Sequence, residues 1–212
     1  MQHSQHLGLW AEALRSIAND ELYYASGSPY TTDRMRRLLR IAAEIHAAQD
    51  TRDADQIDRI FQGDLTRLSP RLGGDGAIFD EEGRILLIQR SDDELWAMPG
   101  GALEVGETPA EGACREVWEE TRVRVEPVAL VGVYDSRRCG SGLRSHLYHF
   151  VFSCRPCDAM PRPLISNETL DVRWFHEGEL PRLSPGHPIR IADAFRHWRG
   201  DVVGAVFDPI PS

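Results

Sequence analysis

Three glutamates, Glu116, Glu119 and Glu120, stand within five positions in the segment REVWEETRV. If this segment is helical, spacings of three and four residues place all three carboxylates on one face, where each like-charged pair costs a few tenths of a kcal/mol, roughly 0.2–0.5. Most acidic runs are ordinary solvated faces. A divalent cation would instead offset the repulsion, because carboxylate oxygens are ligands that Mg²⁺ and Mn²⁺ prefer. The spacing alone leaves both interpretations open.

The position of the glutamates within the helix favours the cation. Thr108, Pro109 and Glu111 supply an N-cap, a first helical residue and a capping box, so the helix is predicted to begin near 109 and to run through Glu120. The C-terminal end of a helix already carries the negative pole of its dipole, and each carboxylate placed there costs about 0.3–1 kcal/mol. An ordinary exposed face would put acids at the start and bases at the end.

The wider segment GGALEVGETPAEGACREVWEETRV, residues 100–123, closely resembles the signature of the Nudix hydrolases, which cleave a nucleoside diphosphate linked to another moiety. The preceding LWAMPGG is also typical of that family. Arg122 departs from the signature, because the family usually has glycine there as a left-handed C-cap. Arginine adopts that conformation at a cost of about 1 kcal/mol, so the departure concerns the cap and not the carboxylates.

The resemblance implies a metal site on this helix. The implied ligands are Glu116 and Glu120, Glu119 as a further ligand or a water-orienting group, and the backbone carbonyl of Gly100. The expected metal is Mg²⁺, with Mn²⁺ able to replace it. Bound metal would neutralise the pyrophosphate and lower the pKa of a water molecule for in-line attack at phosphorus.

The resemblance also assigns supporting residues. Arg115 would pair with Glu107 and hold the loop against the helix, although a surface ion pair of little energetic value is the alternative. Arg90, Trp96 and Tyr134 are candidates for binding the substrate, the two aromatic rings by recognising the base. For each ring, packing in the core is the commoner role.

A second resemblance covers more of the chain. A helical N-terminal segment followed by ETLDVRWFHEGELPRLSPG is similar to the two-domain Nudix enzymes that include CDP-choline pyrophosphatases. In that setting Glu168, before the strand of Trp174, would be an additional metal ligand or the general base, with an exposed loop carboxylate as the equal alternative. CDP-choline is therefore the first substrate expected, and ADP-ribose the second.

The remaining sequence predicts how the chain is organised. Apolar residues recur at helical intervals over 7–24 and 32–48, with Thr32 or Asp33 at the second helix start, and a third helix is predicted over 53–61. Beyond them the period shortens, with a hairpin in GAIFDEEGRILLIQR, strands in VALVGVYDS and HLYHFVFSC, and a final helix in IRIADAFRHWRG. We expect an all-helical domain over 1–65 and an α/β Nudix domain over 66–212, an α/β/α sandwich with a mixed sheet.

Composition limits the partners and the compartment. The net charge of −9 argues against long nucleic acid, since polyanion binding needs a basic surface. The sequence shows no membrane-length apolar run and no signal peptide, and its four scattered cysteines suit a reducing cytoplasm. Two alternatives to a small-molecule hydrolase stay open, a Nudix fold kept as a binding or regulatory module and a hydrolase of 5′-capped RNA.

The N-terminal helices predict self-association. A segment of about sixty residues has little core of its own, so its apolar faces need burial against the catalytic domain or a second subunit. Closed two-fold dimers are the commonest oligomers, and we expect a homodimer with these helices at its interface.

Overall fold

A computed structural model describes residues 2–24, 28–66, 68–141, 146–158, 161–166 and 169–209 of the 212-residue chain. The chain forms two compact units, one of residues 1–70 with 143–146 and the other of residues 71–142 with 147–212. No helix in the described part of the chain is both long enough and apolar enough to cross a membrane.

In the part of the first unit that the structure describes there are three helices, α1 (Gln2–Tyr24), α2 (Pro29–Ala47) and α3 (Ala54–Gly63). The predicted start of α2 at Thr32 or Asp33 is wrong, because the Ser28 side chain caps the helix and Pro29 occupies its first position. The six buried core residues are small or apolar and come from all three helices: Ala18, Leu39, Ala42, Ala43, Ile57 and Phe61.

The described residues of the second unit form eight strands and two α-helices. They are β1 (Arg71–Ile78), β2 (Ile85–Arg90), β3 (Trp96–Ala97), β4 (Gly100–Ala102), α4 (Pro109–Thr121), β5 (Val125–Asp135), β6 (Leu147–Pro156), β7 (Thr169–Phe175), α5 (His187–Trp198) and β8 (Val206–Phe207), with a 3₁₀ turn at Glu177–Glu179. A five-stranded sheet has the order β4-β1-β6-β5-β8, and a three-stranded sheet has the order β3-β2-β7. Since β1 runs parallel to β6 and antiparallel to β4, the larger sheet is mixed.

The predicted hairpin of β1 and β2 is only partly correct. Its turn exists, with a hydrogen bond from the Asp80 amide to the Arg84 carbonyl (3.1 Å) and a single bridge between Phe79 and Ile85. The two strands then separate into different sheets. Residues Ile85 to Ile88 of β2 are buried on both faces of the sheet, as is typical of a central strand. Accordingly, β2 lies between β3 and β7.

Two helices cover the opposite faces of the sheets. Neighbouring residues of β1 belong to different cores, since Ala77 packs in the cluster that contains Ile191 and Phe195 of α5, whereas Ile78 packs with Val117 of α4. Alternate side chains of a strand point to opposite faces, so this division places α4 and α5 on opposite sides. The prediction of a sandwich with helices on both faces is confirmed.

Glycines in β1 allow α4 to approach closely. A Cβ atom on Gly76 would lie 2.4 Å from a Val117 methyl carbon, and one on Gly74 would lie 3.1 Å from the Ala113 backbone nitrogen. A side chain at either position would therefore move the helix away from the sheet. The glycines fix the distance between α4 and the strand that pairs with β4.

Candidate active site

The helix α4 carries the acidic residues, and both of its ends are capped. The Thr108 side chain accepts a hydrogen bond from the Glu111 amide, and the Glu111 side chain accepts one from the Thr108 amide, so the predicted capping box is present. At the other end Arg122 takes the left-handed conformation (φ 60°, ψ 14°), and its amide donates to the Trp118 carbonyl at 2.9 Å. The cap therefore has the shape that glycine usually gives, with arginine in its place. The Arg122 guanidinium lies 5.6 Å from the centre of the Trp118 ring.

Two of the three glutamates lie against the glycine pair that begins β4. Glu120 Oε2 accepts a hydrogen bond from the Gly100 amide at 2.8 Å. A Cβ atom on Gly101 would lie 2.5 Å from Glu116 Oε1, so the carboxylate occupies the space where any other residue would place its side chain. The sequence GG is therefore required for the carboxylates of α4 to touch the backbone of β4.

Arg115 joins the loop before α4 to the acidic face. Its Nη2 and Nε atoms donate to the two oxygens of Glu107 at 2.8 and 3.0 Å, and Nη2 also donates to the Ala102 carbonyl at 3.0 Å. Its Nη1 atom donates to Glu116 at 3.0 Å and to Glu119 at 3.2 Å. The hydrogen bonds from Arg115 and from the Glu104 amide lower the pKa of Glu107 to about 2. The contact between Arg115 and Glu107 that the resemblance implies is present.

The electrostatics of the site concentrate on Glu120. Burial raises the pKa of its carboxyl group to about 8, and the negative charges of Glu116 and Asp75 contribute, while the Gly100 amide and the charge of Arg90 oppose the change. At neutral pH a large fraction of Glu120 is therefore protonated. A divalent cation would remove this cost, because its charge favours the ionised carboxylate.

The donor set fits a hard divalent cation by its chemistry, since it consists of carboxylate and backbone oxygens. Among the described residues, no three His, Cys, Asp or Glu side chains are arranged as a ligand set. The reason lies in their present partners, because Glu116 and Glu119 both face Arg115 and Glu120 faces the Gly100 amide. Binding one cation through all three carboxylates therefore requires these side chains to rotate.

The substrate-binding candidates fall in different environments. Arg90 is half-buried, pairs with Asp92 at 2.5 Å and is near enough to Glu120 to influence its pKa. The partly buried Trp96 ring packs edge-on against Phe175, with ring centres 4.8 Å apart. Tyr134 is only 3% exposed and its hydroxyl contacts Asp193, so it takes the core position that the sequence left as the alternative to base recognition. The proposed ligand or base Glu168 lies outside the described residues.

A buried polar cluster beside the glycine pair was missed from the sequence. Its members are Asp75 of β1, His149 of β6, and His187 and Arg190 of α5. The signals were Asp75 among the small and apolar residues of GGDGAIF, and Arg190 in the apolar stripe of IRIADAF. Burial would raise the pKa of Asp75, but the charge of Arg190 and the contact with His149 outweigh it and hold that pKa well below its usual value.

The sequence and the fold both match known proteins. Residues 70–196 match the NUDIX domain, and residues 5–61 match the UDP-X-like, N-terminal oligomerisation domain. A putative ADP-ribose pyrophosphatase of Bacillus subtilis is 32% identical over 201 residues, which cover 93% of this chain and 95% of that protein. The ADP-ribose pyrophosphatase of Methanocaldococcus jannaschii is 32% identical over 136 residues, which cover 62% of this chain and 76% of that protein.

Among solved structures, a UDP-X diphosphatase superposes with a TM-score of 0.61 over 94% of this chain and 96% of its own, and its 22% identity supports the fold alone. An ADP-ribose pyrophosphatase of Streptococcus suis has a TM-score of 0.58 and 27% identity over 66% of this chain and 100% of its own. The NUDIX match covers more than half of the sequence, and the B. subtilis relative spans both units. The chain therefore belongs to the Nudix family of pyrophosphatases, with a helical oligomerisation domain of the UDP-X-like type before its hydrolase domain.

Proposed function

We propose that this protein hydrolyses the pyrophosphate bond of a nucleoside diphosphate linked to another moiety, with Mg²⁺ as its metal. The products are a nucleoside monophosphate and the phosphorylated moiety. The observation that supports this proposal most directly is the contact of Glu116 and Glu120 with the glycine pair of β4, together with the raised pKa of Glu120. A carboxyl group with that pKa is costly to ionise, and a bound cation offsets this cost.

In this proposal each residue of the site has a defined task. Glu116 and Glu120 hold the metal with the Gly100 carbonyl, and Mn²⁺ is able to replace Mg²⁺. Glu119, whose side chain is 53% exposed, adds a ligand or orients the attacking water. When bound, the metal neutralises the pyrophosphate and makes water a better nucleophile. Arg115 and Glu107 keep the loop against α4, and Arg90 and Trp96 contact the substrate.

ADP-ribose is the first substrate to test. The Bacillus subtilis relative, which aligns with 93% of this chain, is named a putative ADP-ribose pyrophosphatase. Nucleotides linked through UDP come next, because residues 5–61 match a domain described as UDP-X-like. CDP-choline, which the second sequence resemblance favours, stays in the set as a third candidate.

The test is a substrate panel with defined products. ADP-ribose, a UDP-sugar, CDP-choline and a dinucleoside polyphosphate are incubated with Mg²⁺, and nucleoside monophosphate is separated by anion exchange. We expect one compound to be cleaved at its pyrophosphate bond, and we expect EDTA to abolish cleavage.

Two variants control the panel. Glu116→Gln should lower kcat by about 10²-fold or more, because a metal ligand loses its charge. Glu126→Gln changes an exposed glutamate of β5 that pairs with Arg155, and it should leave turnover unchanged. Cleavage that persists undiminished in EDTA or in Glu116→Gln would refute the proposal.

We also propose that the chain is a homodimer through its N-terminal helices. Trp10 and Ile17 of α1 are 58% and 59% exposed and stand seven residues apart, which places them on one stripe of the helix. Changing both to aspartate in the full-length chain should give a monomer by light scattering. A double variant that retains the dimeric mass would contradict this interface. Substrate preference measured on the same samples would show whether the helices influence the choice of substrate.

A further inference from the structure

Arg190 of α5 is buried inside the second unit, where its Nε and Nη1 atoms are hydrogen-bonded. Its side chain is 1% exposed, its Nε donates to the Gly186 carbonyl at 3.1 Å, and its Nη1 donates to Asp75 and, at 2.8 Å, to Nδ1 of His149. Nδ1 of His149 also lies 3.3 Å from Asp75 Oδ2, so the arginine, the aspartate and the histidine meet at one point. One arginine therefore joins α5 to both β1 and β6.

A buried ion pair of this kind is poorly explained by stability. Removing two charges from water costs several kcal/mol per ion as an order of magnitude, and well-packed apolar residues of similar volume are often equally or more stabilising. Apolar side chains in place of this ion pair would have apolar neighbours, because Val151 of β6 and Ile191 of α5 pack in the adjoining core. The pair between Asp75 and Arg190 therefore calls for a role other than stability.

The position of Asp75 indicates that role. Asp75 is the register partner of Gly100 in the pairing of β1 with β4. A Cβ atom on Gly100 would lie 2.6 Å from Asp75 Oδ1 and 2.5 Å from the Gly74 carbonyl, so the carboxylate lies directly against this glycine. The amide of the same glycine donates to Glu120 at 2.8 Å. Asp75 thus contacts the residue that holds a proposed metal ligand.

The two residues before Gly100 are held as well. The Met98 amide donates to Nδ1 of the buried His187 at 3.2 Å, and the Pro99 carbonyl accepts from the Gly76 amide at 2.9 Å. Burial lowers the pKa of His187 well below its usual value, and the charge of Arg190 adds to this, so the ring is neutral and its Nδ1 is free to accept. Residues 98, 99 and 100 are therefore held by α5, β1 and α4 in turn.

We infer that Arg190, Asp75 and His187 are positioning residues of the reaction, which hold residues 98–100 so that Gly100 presents its backbone to Glu120 and to the metal. They act through the loop and do not touch the substrate. Misplacement of catalytic groups by about 1 Å costs up to 10²-fold in rate, so loss of this support should reduce turnover well before the protein unfolds. The inference rests on the proposed function.

The first experiment compares Arg190→Met with Arg84→Met in the full-length protein. Arg84 forms a partly exposed ion pair with Asp80 at 2.7 Å in the turn after β1, so the control loses an arginine–aspartate contact outside residues 98–100. Binding of Mn²⁺ alone is measured by electron paramagnetic resonance of the free ion, and kcat and KM are measured on the substrate found in the panel. We expect Arg190→Met to weaken Mn²⁺ binding about tenfold and to lower kcat at least tenfold with KM within about threefold, an effect of the size that loss of catalytic geometry produces.

The direction of the change in Mn²⁺ affinity distinguishes the positioning role of Arg190 from a simple effect of its charge. Loss of a nearby positive charge would by itself strengthen cation binding. Tighter Mn²⁺ binding in Arg190→Met would therefore overturn the inference, as would a lower melting temperature with unchanged Mn²⁺ affinity and kcat.

A second pair of variants keeps the test decisive if Arg190→Met does not fold. His187→Asn retains a side-chain oxygen near the position of Nδ1 and should keep kcat within about threefold of the wild type. His187→Leu has no acceptor for the Met98 amide and should lose kcat and Mn²⁺ affinity together. Equal behaviour of the two variants would overturn the inference. If the unmodified protein cleaves nothing in the panel, the proposed function fails, whereas the Mn²⁺ measurements still report on the positioning role.

Discussion

Replacing Glu120 by glutamine should distinguish what this carboxylate contributes to turnover from what its burial takes from the free energy of unfolding. Glutamine retains an oxygen that accepts the Gly100 amide, which lies 2.8 Å from the present carboxylate, but it has no charge. The pKa of Glu120 is raised to about 8 in the folded protein, against 4.5 for an ordinary glutamate. Between these values the folded protein holds a proton that the unfolded chain releases, so the free energy of unfolding falls as the pH rises.

The magnitude follows from the size of the shift. One pKa unit corresponds to about 1.36 kcal/mol, so the metal-free protein should lose up to roughly 4 kcal/mol between pH 5 and pH 8, and less because the side chain is partly exposed. Glu120→Gln has nothing to titrate and should be more stable than the wild type at pH 8 and similar to it at pH 5. Saturating Mg²⁺ should narrow the difference in stability at pH 8, since a ligand at a hundredfold excess over its Kd adds about 2.7 kcal/mol to a protein that binds it.

The assay is thermal unfolding from pH 5 to pH 8, with EDTA and with Mg²⁺, beside turnover at saturating Mg²⁺. The variant should lose about 10²-fold or more in kcat, because several kcal/mol of charge stabilisation is removed. Glu126→Gln serves as the control for a change at an exposed carboxylate. The reasoning would be refuted if the melting temperatures of Glu120→Gln and wild type changed with pH in the same way, or if the variant had near-normal turnover.

Three further perturbations have expected outcomes. Arg122→Gly should raise the free energy of unfolding by up to about 1 kcal/mol in denaturant titrations without changing kcat, because glycine adopts the left-handed cap more readily. A loss of stability would show that the contact of Arg122 with Trp118 outweighs the energy that glycine saves in the backbone. Gly100→Ala should abolish activity, since its Cβ would lie 2.5 Å from the Gly74 carbonyl, and a fully active, correctly folded variant would contradict the described packing. The pKa values of Asp75 and Glu107 are lowered in the folded protein, so these carboxylates stabilise the fold above about pH 4, and this stabilisation is lost as the pH falls. The free energy of unfolding of Asp75→Asn should therefore depend less on pH below 4 than that of the wild type, as measured by acid unfolding.

Local sequence signals predicted the elements that are determined locally. The α4 helix begins and ends where Thr108, Pro109 and Glu120 indicate, because caps and helical periodicity depend on neighbouring residues only. The predicted start of the second helix, Thr32 or Asp33, is three or four residues late. Its start depends on Ser28 and Pro29, whose signal competed with the equally good capping residues Thr32 and Asp33.

The partners of β2 and the cluster around Arg190 depend on contacts between distant parts of the chain. The hairpin turn at Asp80 does not indicate that β2 pairs with β7, whose paired residues lie 79 to 90 positions later in the chain, since periodicity does not specify a strand's partner. Arg190 and Asp75 are 115 positions apart, and each alone resembles an ordinary charged residue. Only the fold brings them together beside Gly100.

The left-handed Arg122 has a consequence for how sequence signatures are written. The signature position describes a backbone conformation, φ near +60°, and glycine is its usual occupant because it adopts that conformation at least cost. Here an arginine adopts it, and the helix ends at the residue before it, Thr121. A search pattern that demands glycine would reject this chain, whereas a pattern that accepts any residue able to enter the left-handed region, weighted by its energetic penalty, would retain it. Such a pattern would specify the backbone conformation of the turn and not the residue type found there most often.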